Sequence, residues 1–343
     1  MSGSHLLPPV MVGGCGMAVP SERLTNSDLE ARLDTDDRWI VERSGIRERR
    51  VAGSGETTST LAIDAGAAAM KDAGLAPDDI EVVVLATATP DQPLPGAAAL
   101  VADGLGLTCG SFDLGAACAG FTYGIVVGTS ILATGGGGAA LVIGADTFTR
   151  IVDPADRNTA VLFGDGAGAV TLTAPPGAAP RREGPGGPGV LGWDLGSDGT
   201  GYSLLEVSAG GSARPTSAET VADGGHWVHM DGPELFRRAV RVMADSGDAA
   251  LAKVGLSPAD VDLFVPHQAN VRIIDACASR LGIATDRVAV NVDRYGNTSA
   301  ASVALALTEA AEAGRLHEGD IVLLGGIGAG LVWASVVIRW GRP

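Results

Sequence analysis

Three residues of this chain could do chemistry together: a cysteine, a histidine and an asparagine, far apart in the sequence. Cys118 sits in GAACAGF (115–121), after a strand-like run at 110–114 and before an apolar segment at 121–133 broken only by Gly124 and Gly128. A strand, a tight turn and a buried helix are expected there, with Cys118 near the helix N-terminus. The unpaired first-turn N–H groups and the helix dipole favour a thiolate at such a place, so a lowered thiol pKa is expected. The small neighbours Ala116, Ala117, Ala119 and Gly120 leave room for a substrate to reach the sulfur. The plainer alternative is that a lone cysteine among Ala and Gly is a small packed hydrophobe.

His267, in LFVPHQAN (263–270), ends a second strand-like run, and ligands of open α/β sheets sit beyond the carboxyl ends of strands. An ordinary loop or core histidine also fits that place. Asn297 follows Gly296 in YGNTSAAS (295–302), where Gly-Asn is first of all turn chemistry. A thiol at a helix start, a histidine at a strand end and an asparagine in a glycine turn together suit nucleophilic catalysis with hydrogen-bond stabilisation of an oxyanion.

The elements that must position these residues alternate along the chain. Residues 81–87 and 139–144 read as buried parallel strands, and 60–73 and 96–105 as helices, which points to an α/β fold. The chain also repeats itself. GLAPDDIE from Gly74 answers to GLSPADVD from Gly255, and LVIG from Leu141 to VLLG from Val322, both 181 residues on. Two matches in one register indicate a duplicated half. The halves are expected at 1–174 and 175–343, joined by a Pro/Gly-rich loop at 175–189. By that offset Cys118 answers to Ser299, so a pseudo-twofold would bring both helix starts to the centre.

The net charge of −16 over 343 residues argues against a nucleic-acid surface. Cys15, Cys109, Cys118 and Cys277 are widely spaced, with no C-x-x-C pair and no clustered histidines, so neither a metal site nor a disulfide framework is expected. The first 20 residues lack a basic n-region and contain Pro8, Pro9 and several glycines, unlike a signal peptide. Apolar runs of membrane-spanning length are all interrupted by Gly, Asp or Pro. A soluble, reduced, cytoplasmic protein is expected. Against this acidic background, Arg38, Arg43, Arg47, Arg49 and Arg50 surround Trp39, which reads either as a solvated face or as a platform for an adenine with phosphates.

Taken together, DLGAACAGF around Cys118, VPHQAN around His267 and YGNTSAAS around Asn297 resemble the Cys-His-Asn signature of β-ketoacyl-[acyl-carrier-protein] synthase III, in the thiolase-like superfamily. WIVERSGIRER (39–49), FGDGA (163–167) and GGIGAGLVW (325–333) extend the resemblance from Val10 to Trp340. It implies an α/β thiolase-like fold of two βαβαβαββ halves packed as αβαβα layers, working as a homodimer. It further implies condensation of an acyl-CoA primer with malonyl-carried acyl carrier protein, without metal or other cofactor. Cys118 would take the acyl group, and its own N–H with that of Ala329, in the Gly328-Ala329-Gly330 loop, would hold the oxyanion. His267 and Asn297 would stabilise the enolate released by decarboxylation.

The residues matching the family's CoA contacts are Trp39, Arg43 and Arg157. Those matching its carrier-protein contacts are Arg237, Arg272 and Arg280, which are equally readable as plain helix-surface arginines. Asp165, in the FGDG turn, is expected to cap local N–H groups. Two positions depart from the family pattern, both in the acyl pocket. Ile327 stands where a Phe is common beside the cysteine, and Leu94 where an aromatic side chain often enters the partner subunit's pocket. Smaller residues there imply branched or longer primers than acetyl. Rival readings are an acyltransferase passing the group to a hydroxyl, amine or carrier thiol, a non-catalytic partner subunit, or a CoA-dependent thiolase or hydroxymethylglutaryl-type synthase. The intact triad argues against the first two, and a cysteine-free 325–331 against a thiolase.

Overall fold

A strand that is apolar on both sides needs a packed layer on each face, and two strands of this chain are built that way. In Gly138–Thr147, Ala140 and Val142 face one core cluster while Leu141 and Ile143 face another. In Ile321–Gly328, Val322 and Leu324 join the first of these clusters, and Ile321 and Leu323 turn to a third. The shared cluster lies between two sheets. The structure is a computed structural model that describes residues 9–135, 138–175 and 187–343. Most of the Pro/Gly-rich stretch 175–189 therefore lies outside the described residues.

The first sheet has five strands in the order Met11–Ala18, Asp165–Ala174, Gly138–Thr147, Ile80–Ala86, Gly110–Leu114. Ile80–Ala86 is parallel to both of its neighbours, and Asp165–Ala174 is antiparallel to both of its own. The second sheet has four, in the order Leu263–Pro266, Ile321–Gly328, Val332–Arg339, Gly189–Ser197, of which only the first pair is parallel. Helices Gly120–Gly135 and Ser302–Glu312 lie between the sheets and contact strands of both. Thr58–Ala73 and Ala97–Gly104 cover the outer face of the first sheet, and Gly232–Lys253 with Val271–Leu281 cover the second. This is an αβαβα stack of thiolase-like type.

The inner helices are apolar on nearly every side because both of their faces meet a sheet. Glycines bring Gly120–Gly135 close to its strands: a Cβ on Gly124 would stand 2.8 Å from Val142 Cγ1. By length and composition the run Ala117–Gly135 could cross a membrane, but 61% of it is buried within the fold.

The expected elements form with small shifts in their ends: Ile80–Ala86 for 81–87, Thr58–Ala73 for 60–73, Ala97–Gly104 for 96–105 and Gly120–Gly135 for 121–133. The internal repeat needs one correction. Gly74 and Gly255, 181 apart, share left-handed φ values of 68° and 74°. The turns that open the inner helices, Ala117–Ala119 and Ser299–Ala301, are 182 apart. So are the strand partners Ala140 and Val322, which face Val82 and Leu263. Cys118 therefore answers to Ala300, and Ser299 to Ala117. These last two are the non-glycine residues with positive φ among those described, at 50° and 43°. The extra residue enters where the halves differ most. The strand Gly110–Leu114 has as its counterpart only a lone bridge between Phe264 and Val288.

The second-half inner turn lies over Gly144, where an added Cβ would stand 2.2 Å from the Ala300 carbonyl oxygen. Gly144→Ala should lower stability by about 3 kcal/mol, read as a shifted denaturant midpoint at unchanged m-value. An unshifted midpoint would show that the gap between sheet and turn yields.

Candidate active site

Cys118 is reached by an abrupt turn. The strand Gly110–Leu114 runs through Gly115 and Ala116 into a single 3₁₀ turn, Ala117–Ala119, and then into the inner helix. The left-handed Ala117 swings the chain so that the thiol faces the second half, 3.4 Å from Ser299 Oγ. Gly328, at the end of its strand, lies flat against this turn, since an added Cβ would stand 2.7 Å from the Cys118 nitrogen.

Asn297 is held from three sides. Its N–H donates to the Leu162 carbonyl at 2.8 Å and its own carbonyl accepts from the Gly164 N–H at 3.0 Å. Its side-chain Oδ1 accepts from the Ser299 N–H at 2.9 Å, which leaves Nδ2 as the end without a partner among the described residues. Gly296 before it has φ 66° and room for no Cβ, which would lie 2.7 Å from the Leu162 carbonyl oxygen. His267 follows the strand Leu263–Pro266. Its N–H donates to the Gly325 carbonyl at 2.7 Å, and its Nδ1 lies 2.6 Å from Ser302 Oγ.

Cys118, His267 and Asn297 are all buried and line one cavity of about 120 Å³, walled by apolar side chains that include Leu162, Met230, Ile273 and Ile327. Leu162, Met230, Gly232 and Asn270 also line an adjoining space of about 450 Å³ that reaches Trp39 and Arg43. The thiol and Trp39 thus stand at the inner and outer of two spaces that share these four residues. Trp39 and Arg43 are one turn apart on helix Asp37–Ser44. The Arg43 and Arg157 guanidinium carbons stand 5.0 and 4.7 Å from the indole centroid.

Three other arginines of that segment, Arg38, Arg49 and Arg50, are engaged elsewhere. Arg38 pairs with Glu42. Arg49 is fully buried on the Leu24 and Val161 carbonyls and Asn26 Oδ1, and Arg50 donates to the Pro20 carbonyl and lies over Tyr295.

The remaining expected positions are spread out. Arg272 opens helix Val271–Leu281 and lies over Phe236, which lines the cavity. Arg237 is exposed, pairs with Glu234 and shares an open groove with Arg238 and Arg241. Arg280 pairs with Asp245 in the last turn of its helix, about 12 Å along the axis from Arg272. Leu94 is 85% exposed and away from the cavity, whereas Ile327 lines it. Gly328 lines the cavity and Ala329, the next residue, does not. Asp165 accepts from the Ala52 and Thr149 N–H groups and the Thr149 hydroxyl, as expected of a structural turn.

Sequence reasoning missed Asp146. It is fully buried at the end of Gly138–Thr147. Its Oδ1 accepts from the Thr87 and Thr89 hydroxyls and the Ala88 and Thr89 N–H groups, and its Oδ2 from the Ala300 N–H. An acidic residue directly after an otherwise apolar strand was the available signal. Among the described residues no three His, Cys, Asp or Glu side chains are grouped to hold a metal.

The electrostatics correct one expectation. Burial pushes the Cys118 thiol up to about 12, the nearby Asp146 carboxylate adds to the rise, and the Ser299 hydroxyl opposes it. A helix terminus contributes at most about 2 kcal/mol, whereas a rise from 9.0 to about 12 corresponds to about 4 kcal/mol. Desolvation wins, and the resting group is a thiol. Burial likewise depresses His267 to about 4, so its imidazole is neutral at pH 7.

Fold and site together define a thiolase-like protein with a cysteine at the junction of its halves. Residues 112–199 match the family model for 3-oxoacyl-[acyl-carrier-protein] synthase III, and 251–340 the model for its C-terminal part. A β-ketoacyl-[acyl-carrier-protein] synthase III of Symbiobacterium thermophilum is 50% identical over 97% of this chain and 99% of its own length. One from Roseiflexus sp. is 51% identical over 95% and 97%. The crystal structure of the FabH synthase III from Pseudomonas aeruginosa superposes with a TM-score of 0.87, at 41% identity, covering 97% of this chain and 99% of that one. The priming β-ketosynthase of the R1128 polyketide pathway gives 0.88 at 34% identity, covering 98% of each. The chain belongs to the β-ketoacyl-[acyl-carrier-protein] synthase III family, acyltransferases that carry out the initiating condensation of fatty-acid synthesis.

The histidine sets a pH dependence. Unfolded His267 takes a proton below about pH 6.5 and the folded residue only below about 4, so between these values the unfolded chain holds more protons. Stability should fall as pH drops from 6.5 to 4, by up to about 3 kcal/mol from this group. In His267→Gln that part of the fall should vanish, as read by denaturant unfolding of both chains across the range.

Proposed function

We propose that this chain joins an acyl-CoA primer to malonyl-carried acyl carrier protein, with Cys118 as nucleophile and His267 and Asn297 as oxyanion donors. The observation that carries this reading is the convergence of the three on one apolar cavity, beside a space lined by Trp39 and Arg43. The adenine stacks on Trp39, with Arg43 and Arg157 beside it to meet the phosphates, and the pantetheine arm follows the way past Met230 to the thiol. There the thiol sulfur bonds to the acyl carbon. The thioester bond to CoA breaks, and the thiol proton leaves on the departing CoA. The Cys118 N–H is proposed to meet the oxygen of the tetrahedral intermediate, with the Ala329 N–H, next to the cavity-lining Gly328, as its second donor.

In the second half-reaction malonyl-carried protein loses CO2, and the electron pair of the broken C–C bond becomes an enolate. Asn297 Nδ2 and His267 hold its oxygen. The enolate carbon bonds to the acyl carbon, and the Cys118 sulfur leaves as a thiolate that takes up a proton from solvent. Neither residue needs to be a base, which suits a neutral imidazole. No cofactor enters either half-reaction.

Arg237, exposed in an open groove, and Arg272, over the cavity-lining Phe236, are proposed to meet the acidic carrier protein. Arg280, engaged with Asp245, would join them only at the edge of a wide contact. The halves are proposed to divide at 174/175, and two chains to pair, with Leu94 reaching the partner's acyl pocket. The cytoplasm is the proposed location.

Two measurements test this. Intact mass after incubation with acyl-CoAs should show a thioester adduct that is absent in Cys118→Ala and discharged by malonyl-carried protein as a β-ketoacyl product. His267→Ala and Asn297→Ala should still form the adduct but discharge it roughly 100-fold more slowly. An adduct that no malonyl carrier discharges would instead indicate simple acyl transfer. With Ile327 in the cavity wall, the panel should favour branched or longer primers, and strict acetyl preference would count against that assignment.

For the entry platform, Trp39→Ala should raise the KM for acyl-CoA about tenfold. It should leave acylation by a short pantetheine-type thioester unchanged.

A further inference from the structure

We propose that Ser302 is a positioning residue that fixes His267 in the tautomer carrying its proton on Nε2, so that the ring offers a donor to the cavity. Ser302 is 1% exposed, and among the described residues its Oγ has two hydrogen-bond partners, His267 Nδ1 at 2.6 Å and the Gln268 N–H at 3.3 Å. The Gln268 N–H can only donate, so Oγ accepts there. The hydroxyl proton then has one acceptor in reach, which is Nδ1. If Nδ1 carried the hydrogen instead, Oγ would receive two donors and its own proton would be buried without a partner.

The ring cannot easily evade this constraint. The His267 N–H is bound to the Gly325 carbonyl at 2.7 Å. Next to it, the Gln268 side chain donates to the Pro266 and Ala289 carbonyls and accepts from the Asn291 N–H. A neutral imidazole has one donor and one acceptor nitrogen, so occupying Nδ1 as acceptor makes Nε2 the donor. Nε2 lies across the ring from Ser302 and has no hydrogen-bond partner among the described residues, while His267 lines the cavity. Ser302 begins the inner helix that starts from the Asn297 turn, so one short segment supplies Asn297 and sets the state of His267.

The tautomer assignment stands by itself, while its kinetic consequence rests on the proposed condensation. The 15N shifts of histidine-labelled wild-type protein near pH 7, assigned by comparison with His267→Gln, should show a protonated Nε2 and a bare Nδ1. In Ser302→Ala the Nδ1-protonated form should appear. Acyl-adduct formation should stay within about threefold of wild type, and discharge by malonyl-carried protein should slow roughly 100-fold at little changed KM. Ser302→Thr, which keeps the hydroxyl, should restore both the tautomer and the rate. A wild-type spectrum with the proton on Nδ1 would overturn the proposal, as would a Ser302→Ala chain that condenses within twofold of wild type. If Ser302→Ala fails to fold, the wild-type spectrum still decides. If wild type forms no adduct at all, the condensing reading fails and the tautomer result is unaffected.

Discussion

A single buried carboxylate holds the two halves of this molecule to each other at the place where the chemistry sits. Asp146 ends a strand of the first half, gathers the Thr87–Thr89 loop on one oxygen and takes the Ala300 N–H of the second half on the other. Burying a charge is strongly unfavourable unless every lone pair is met, and charge-assisted hydrogen bonds are the strong kind. Five donors meet that demand here. Burial still shifts the Asp146 carboxyl upward, so the donors offset desolvation without reversing it. Losing the carboxylate would strand several buried N–H groups at once, so the two inner turns have little freedom to drift apart.

Close approach is the other half of that constraint. The turn carrying Cys118 touches Gly328, and the turn carrying Ser299 and Ala300 touches Gly144, each at distances no side chain would allow. Glycine and alanine at the junction bring backbone to backbone. The thiol then lies 3.4 Å from the Ser299 hydroxyl, and the Ser299 N–H donates to the Asn297 side-chain oxygen, so the three residues follow one another along a single seam. Left-handed Ala117 and Ser299, one from each half, show that both turns are bent the same way. Such backbone conformations persist only where the surroundings enforce them.

The large elements were legible in the sequence because burial on two faces leaves a plain mark. The runs ending at Ala86 and Gly144, and the glycine-broken helix after Cys118, could hardly be anything else. Motif and turn chemistry singled out Cys118, His267 and Asn297, which the fold brings to one cavity. What escaped was whatever depends on a partner distant in the chain. The duplication was read one residue short at the turns, since identity matching cannot see that a strand in one half is a lone bridge in the other. Asp146 and Ser302 are ordinary residue types whose meaning lies in their partners 154 and 35 residues away. The thiol pKa was read with the wrong sign because a helix start is visible in sequence and the depth of burial is not.

That wrong sign bears on the chemistry. With a neutral thiol and a neutral imidazole, neither reactive side chain lining the cavity is charged at rest, and the walls are largely apolar. Under the proposed reaction the substrate brings the charge, as a malonyl carboxylate. Such a cavity is a poor host for a carboxylate and a better one for CO2 and an enolate whose oxygen meets two donors. A cationic histidine would bind the carboxylate in its ground state and lose that advantage, because only interactions stronger in the transition state speed the step. Burial deep enough to hold His267 neutral is thus the same burial that favours decarboxylation. Two buried groups that look inert by their pKa values are consistent with a site that works by placement of donors rather than by proton abstraction.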